Sequence, residues 1–140
     1  MKPKQQPSFA TLLENEMLLF SNVILRESYF NDKIKRRMNM AYVLQVDFKM
    51  NGPFGDEMAD AFSDLAKSIN EEEGFLWKIW TENPQINEAG GIYIFETRET
   101  AENYIEMHSK RLAGFGISEV NAKIFAINSK LTEITKGPVK

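Results

Sequence analysis

The chain has one histidine and no cysteine, so any catalysis must draw on a short list of side chains. His108 falls on an apolar stripe with Tyr104, Ile105 and Leu112. An imidazole turned toward a core can take a proton from a phenol or hydroquinone, leaving an electron-rich anion that reacts with oxygen. It could equally ligate a haem iron. The plain alternative is a histidine at the edge of the stripe, hydrogen-bonded or wet. Trp77 and Trp80 are three apart on one extended run and therefore point to opposite faces. The one in a cavity would pack a flat aromatic and offer its indole N–H; ordinary core packing is the competing reading for each. Asn51 could donate its amide N–H to a developing oxyanion, although Asn51-Gly52-Pro53 also reads as turn chemistry. Tyr93 and Arg111 are second-rank candidates, as a hydrogen-bond donor and a holder of an acidic substrate group. Phe54, in the same turn region as Asn51, is a candidate for substrate contact.

Other chemistry is excluded by what is missing. Without cysteine there is no disulfide, thiolate nucleophile or cysteine-held metal. A single histidine rules out a multi-histidine metal site and makes a Ser-His-Asp triad a poor fit. Glu71-Glu72-Glu73 resembles a metal site only superficially, because helical neighbours do not converge. No dinucleotide fingerprint, P-loop or H-E-x-x-H is found, so an oxygenase here would take its electrons from the substrate. The net charge of −3 argues against nucleic acid as the main partner. The apolar run from Met17 to Leu25 is too short and too interrupted for a membrane span or a signal peptide. A cytoplasmic protein is expected.

The elements that must position these residues follow from periodicity. Residues 1–39 carry seven Lys/Arg against four Asp/Glu; residues 40–140 carry ten against sixteen. The run Met40-Ala41-Tyr42-Val43-Leu44 reads like a protein's own beginning. Residues 1–39 are thus expected to be an extension, partly helical (around Phe9–Phe30) or disordered, and 40–136 the working domain, with 137–140 a tail. The extension could be a helical arm, an upstream segment or the result of a misplaced start codon.

Within the domain, Tyr42, Leu44, Val46 and Phe48 alternate with polar residues, a strand with one drier face. Met58, Phe62, Leu65 and Ile69 give an amphipathic helix of about 15 residues, with Asp56 and Glu57 in its first turn. Phe75–Glu82 and Ala89–Glu96 read as strands, with Gly90-Gly91 marking a bulge or close backbone approach. Thr97 N-caps a second helix, Val120–Ile127 is a fourth strand, and Leu131–Ile134 a short terminal turn. The order β-α-β-β-α-β predicts an α+β, ferredoxin-like fold: a four-stranded antiparallel sheet with two helices on one face. Strands two to four carry apolar side chains on both faces, and two helices cover only one. The uncovered face predicts a homodimer, two sheets closing into a dimeric α+β barrel; the 1–39 arm folding back over that face is the alternative.

Three stretches carry a resemblance: Phe48-Lys49-Met50-Asn51-Gly52-Pro53-Phe54-Gly55-Asp56, Glu73-Gly74-Phe75-Leu76-Trp77-Lys78-Ile79-Trp80-Thr81-Glu82, and Glu88-Ala89-Gly90-Gly91-Ile92-Tyr93-Ile94-Phe95. With His108-Ser109-Lys110-Arg111-Leu112 and Val120–Phe125, they make residues 41–135 resemble the YdhR family, which is regarded as monooxygenases of the dimeric α+β-barrel superfamily. That superfamily includes cofactor-independent quinone-forming oxygenases, so the resemblance implies a monooxygenase that needs no cofactor, but it supplies no substrate; a small phenol- or hydroquinone-like aromatic is expected from the candidate residues, and a homodimer from the uncovered sheet face. The superfamily also holds haem-degrading enzymes, so haem is the alternative cofactor, and a non-catalytic small-ligand-binding barrel is the reading from another class. Neither nucleic acid nor membrane is implied as a partner.

Overall fold

The computed structural model describes residues 7–38 and 40–138, with the side chains of 32–38 left aside. The chain divides into two compact units, Met1–Arg37 and Met38–Lys140. Helix α1 runs from Phe9 to Met38 and makes up most of the first, and the Ser8 hydroxyl accepts the Thr11 N–H at its start. Among the described residues no helix is long and apolar enough to cross a membrane.

The second unit holds β1 (Tyr42–Lys49), α2 (Gly55–Ala61), α3 (Ser63–Ile69), β2 (Phe75–Asn83), β3 (Glu88–Phe95), α4 (Arg98–Gly114), β4 (Val120–Ala126) and α5 (Ser129–Ile134). The strands form one antiparallel sheet in the order β2-β3-β1-β4. This is the α+β arrangement that the sequence predicts.

Two differences matter for the site. The single helix expected after β1 is two short ones, broken at Phe62, whose φ of −107° and ψ of 10° leave helical geometry. The i→i−4 bonds from Phe62 N–H to Met58 and from Ala66 N–H to Phe62 survive, so the break is a kink. It accompanies the stacking of Phe62 on Trp80, with ring centroids 6.3 Å apart and 15° between planes. The second difference is a β-bulge at Leu76. Phe75 pairs with Phe95, but Trp77 already pairs with Ile94. Because side chains alternate between faces, one extra residue reverses the phase of everything after it. Lys78 and Trp80 therefore join Phe75 on the helix side, while Trp77 and Ile79 turn to the other.

The core lies between the sheet and the helices. Leu44, Val46, Tyr93 and Phe95 from the sheet pack with Ile69 of α3 and with Ala101 and Tyr104 of α4. Helix α4 is held at its start by the Thr97 hydroxyl, which accepts the Thr100 N–H at 3.1 Å. That cap fixes the helix phase and points Tyr104, His108 and Leu112 inward together.

Candidate active site

A cavity of about 590 Å³ opens between the sheet and the helices. The end of β1 and the turn after it contribute Phe48 and Asn51, β2 contributes Lys78 and Trp80, β3 contributes Tyr93, and α4 contributes His108 and Arg111. Its walls are rings and aliphatic chains: Phe62 stacked on Trp80, with Met58, Leu65 and Leu112. A planar apolar ligand suits such a surface.

His108 is only 2% exposed, and its Nδ1 is buried without a hydrogen-bond partner among the described residues. Its ring stacks on Tyr104, with centroids 5.1 Å apart at 21°, and meets Tyr93 edge-on at 6.3 Å. Burial, then the positive charges of Lys78 and Arg111, pull the imidazole down to about 4. It is therefore neutral at physiological pH, with a lone pair to offer to a donor. Burial likewise pushes the Tyr93 phenol up to about 12 and raises that of Tyr104 further, so both rings keep their protons.

Of the residues singled out from sequence, the fold brings Asn51, Trp80, Tyr93, His108 and Arg111 to this one cavity. Trp77 is not among its lining residues. The bulge turns Trp77 to the opposite face of the sheet, where its indole N–H donates to the Pro138 carbonyl at 2.9 Å. Phe54 also lies outside the lining; it occupies the N-cap position of α2. The 52–55 turn is tied to β2 by the Gly55 N–H, which donates to Glu82 at 2.9 Å.

Lys78 is the residue that sequence reasoning passed over. Its Nζ sits 3.0 Å from the centroid of the Trp80 ring and 4.5 Å from that of Tyr93. Burial pulls its ammonium down to about 7, and the two ring faces oppose that pull by favouring the cation. The signal in the sequence was a lysine two residues before Trp80, on the same face of a strand. Read in unbroken alternation from Phe75, that lysine points to solvent. Among the described residues no group of three His, Asp or Glu side chains could hold a metal ion.

Comparison with known proteins bears on this site through the family. No curated protein matches the chain significantly. Among solved structures, SnoaB, a cofactor-independent oxygenase from Streptomyces nogalater, superposes with a TM-score of 0.46 at 15% identity, covering 63% of this chain and 93% of its own. A structural-genomics protein, YJCS, gives 0.46 at 19% identity, covering 64% and 97%. Residues 43–138, which include every residue that lines the cavity, match the family described as "Putative mono-oxygenase ydhR", and the chain belongs to that family.

Proposed function

We propose that the chain is a cofactor-independent monooxygenase that oxidises a small phenol or hydroquinone-like aromatic with O2. The observation that carries this reading is a neutral, buried His108 that lines a cavity walled by aromatic rings and makes no hydrogen bond through Nδ1 among the described residues. The family's description supports an oxygenase role in general. In this reading the substrate ring lies among the aromatic walls of the cavity, and its hydroxyl donates to one imidazole nitrogen of His108 while the other keeps the ring proton. The imidazole ring, clamped by Tyr104, is held ready and does not reorganise. As the hydroxyl loses its proton, negative charge grows on the substrate oxygen. The Asn51 amide and the Tyr93 hydroxyl can donate to it, and one well-placed donor of this kind is worth about 3 kcal/mol. The electron-rich ring then gives four electrons to O2. One oxygen atom enters the ring to form a quinone and the other leaves as water.

The test is oxygen uptake with a panel of phenols and hydroquinones, followed by mass analysis after turnover under ¹⁸O2. One labelled atom in the product is expected, and His108→Ala should cut the rate by roughly 10²- to 10⁴-fold. Tight ligand binding with no oxygen uptake would replace the enzyme by a binding protein. A Soret shift on adding haem, abolished in His108→Ala, would replace the phenol by haem.

The same reading includes a homodimer formed through the sheet face opposite the helices. Ile79 and Phe125 are 53% and 49% exposed there, beside Val43, Trp77 and Ile92. An apolar patch of this kind marks an interaction surface. Light scattering should report twice the 16.1 kDa chain mass, and Phe125→Glu should shift the protein toward monomer. A wild-type monomer at micromolar concentration would refute the pairing.

A further inference from the structure

We propose that the cavity takes its aromatic ligand as an anion, with the negative oxygen placed between the Lys78 ammonium and the Arg111 guanidinium. The inference rests on the reading of this cavity as a substrate site and narrows its ligand to planar aromatics that carry one acidic group.

The charges around the cavity are one-sided. Three cationic residues line it, Lys49, Lys78 and Arg111, and no Asp or Glu does. Lys49 is already committed: its Nζ lies 2.7 Å from Glu88 and donates to the Ile86 carbonyl. Lys78 is not, and Arg111 is committed only in part. Lys78 forms no ion pair among the described residues and rests on the faces of Trp80 and Tyr93. Arg111 has a loose contact of 3.6 Å from Nη2 to Glu72, while its Nη1 is buried with no hydrogen-bond partner. A buried ammonium without a counter-ion, as at Lys78, and a buried guanidinium nitrogen without an acceptor, as at Arg111, are standing costs that an incoming anion removes. The guanidinium fork matches a carboxylate in geometry, and the ammonium supplies a mobile point charge beside it.

His108 reports the same positive field from the inside. Its imidazole is 98% out of solvent, and both Lys78 and Arg111 disfavour its protonation. An anion seated between those two cations would offset their effect on the imidazole. Binding of the acidic group would thereby make His108 a better proton acceptor for a neighbouring hydroxyl. The aromatic walls restrict the rest of the ligand to flat rings, and Phe62 stacked on Trp80 sets their plane.

Calorimetry on the full chain with 2-naphthoate and 2-naphthamide tests this directly, because the two probes share a shape and differ in charge. At pH 6 the carboxylate should bind at least tenfold more tightly than the amide. Lys78→Met should remove most of that preference, and Arg111→Gln should reduce it. The wild-type affinity for naphthoate should weaken roughly tenfold between pH 6 and pH 9, as the Lys78 ammonium, free form about 7, loses its proton. If Lys78→Met fails to fold, the Arg111 variant and the wild-type pH series still decide the matter. Equal binding of acid and amide, an unchanged preference in Lys78→Met, or no binding of either probe would overturn the proposal. Oxygen uptake with hydroxynaphthalenes is scored separately. An anion preference without oxygen uptake removes the oxygenase reading and keeps this one. Oxygen uptake by the wild type together with equal binding of acid and amide does the reverse.

Discussion

Replacing Gly90 by alanine should lower the stability of the domain by roughly 3–5 kcal/mol, a fall of about 10–20 °C in Tm. Gly90 sits on β3, an inner strand that pairs with Asp47 of β1 on one side and Thr81 of β2 on the other. A Cβ there would run into the carbonyl oxygen of Val46 and come within 2.9 Å of the Asp47 Cα. Both obstacles are backbone, and neither can rotate away. β3 cannot retreat either, because it is hydrogen-bonded on both edges. Relief would require breaking part of the β1–β3 ladder that carries Leu44, Val46, Tyr93 and Phe95 into the core. The neighbouring Gly91 provides the internal control. Its added Cβ would meet the Lys78 Cε at 2.5 Å, the end of a flexible side chain, and the Ile79 carbonyl and Tyr93 Cε2 each at 3.1 Å, where a shift of a few tenths of an ångström suffices. Gly91→Ala should therefore cost only about 1 kcal/mol, within the ordinary range for a point substitution. It should, however, push the Lys78 amine off the Trp80 ring and weaken binding in the cavity. Thermal melts of the two variants decide the matter. A Gly90→Ala protein that melts within roughly 3 °C of wild type would show that the strand pairing is looser than described.

The gap between those two glycines also shows how far the sequence could be read. Period-two alternation in Tyr42–Phe48 located β1 and its buried face, and the Met58-Phe62-Leu65-Ile69 spacing located the helical segment against it. Thr97 announced its helix, and the spacing from Ala101 to Leu112 put His108 on the inner stripe. These are local signals, in which each residue's neighbours determine its direction. The paired glycines were legible as a close approach, but which backbone or side chain each one approached was not. The bulge at Leu76 was invisible for a related reason. Leu76 is apolar like its neighbours, so a slip of one residue leaves the hydrophobic pattern of Phe75–Trp80 apparently intact. That slip decides which tryptophan lines the cavity. It also brings Lys78 inward, and so it hides the lining cation that makes no ion pair among the described residues. The helical spacing turns Phe62 inward, but the Trp80 ring that it stacks on at the kink comes from a distant strand. Convergence of Asn51, Trp80, Tyr93, His108 and Arg111 needs the register of three strands and the phase of α4 together, and no single stretch of sequence contains that.

Replacing His108 by phenylalanine should make the protein more acid-stable while removing its activity. The imidazole titrates near 6.5 in an unfolded chain and at about 4 in the folded one. As pH falls below about 6.5 the unfolded chain takes up a proton that the native state refuses, so the wild type loses stability down to about pH 4 and no further from this source. The gap between the two values corresponds to roughly 3 kcal/mol across that window. Phenylalanine has no proton to accept and keeps the flat contact with Tyr104, so the loss should vanish from the difference between the two proteins. At pH 7 the substitution also removes the unpartnered Nδ1 and should stay within about 1.5 kcal/mol of wild type. Denaturant unfolding at pH 7, 5.5 and 4.5 measures this, and the other acid-titrating groups cancel in the comparison. A wild-type-minus-variant difference that does not change with pH would mean that the imidazole is not held neutral by its surroundings. Oxygen uptake supplies the second column, with an expected loss of about 10²-fold or more. A buried histidine that served only to fill space would give the same gain in acid stability on replacement by phenylalanine, with turnover preserved. Acid stability gained together with turnover lost is what distinguishes an imidazole kept in a dry, positive pocket for its lone pair.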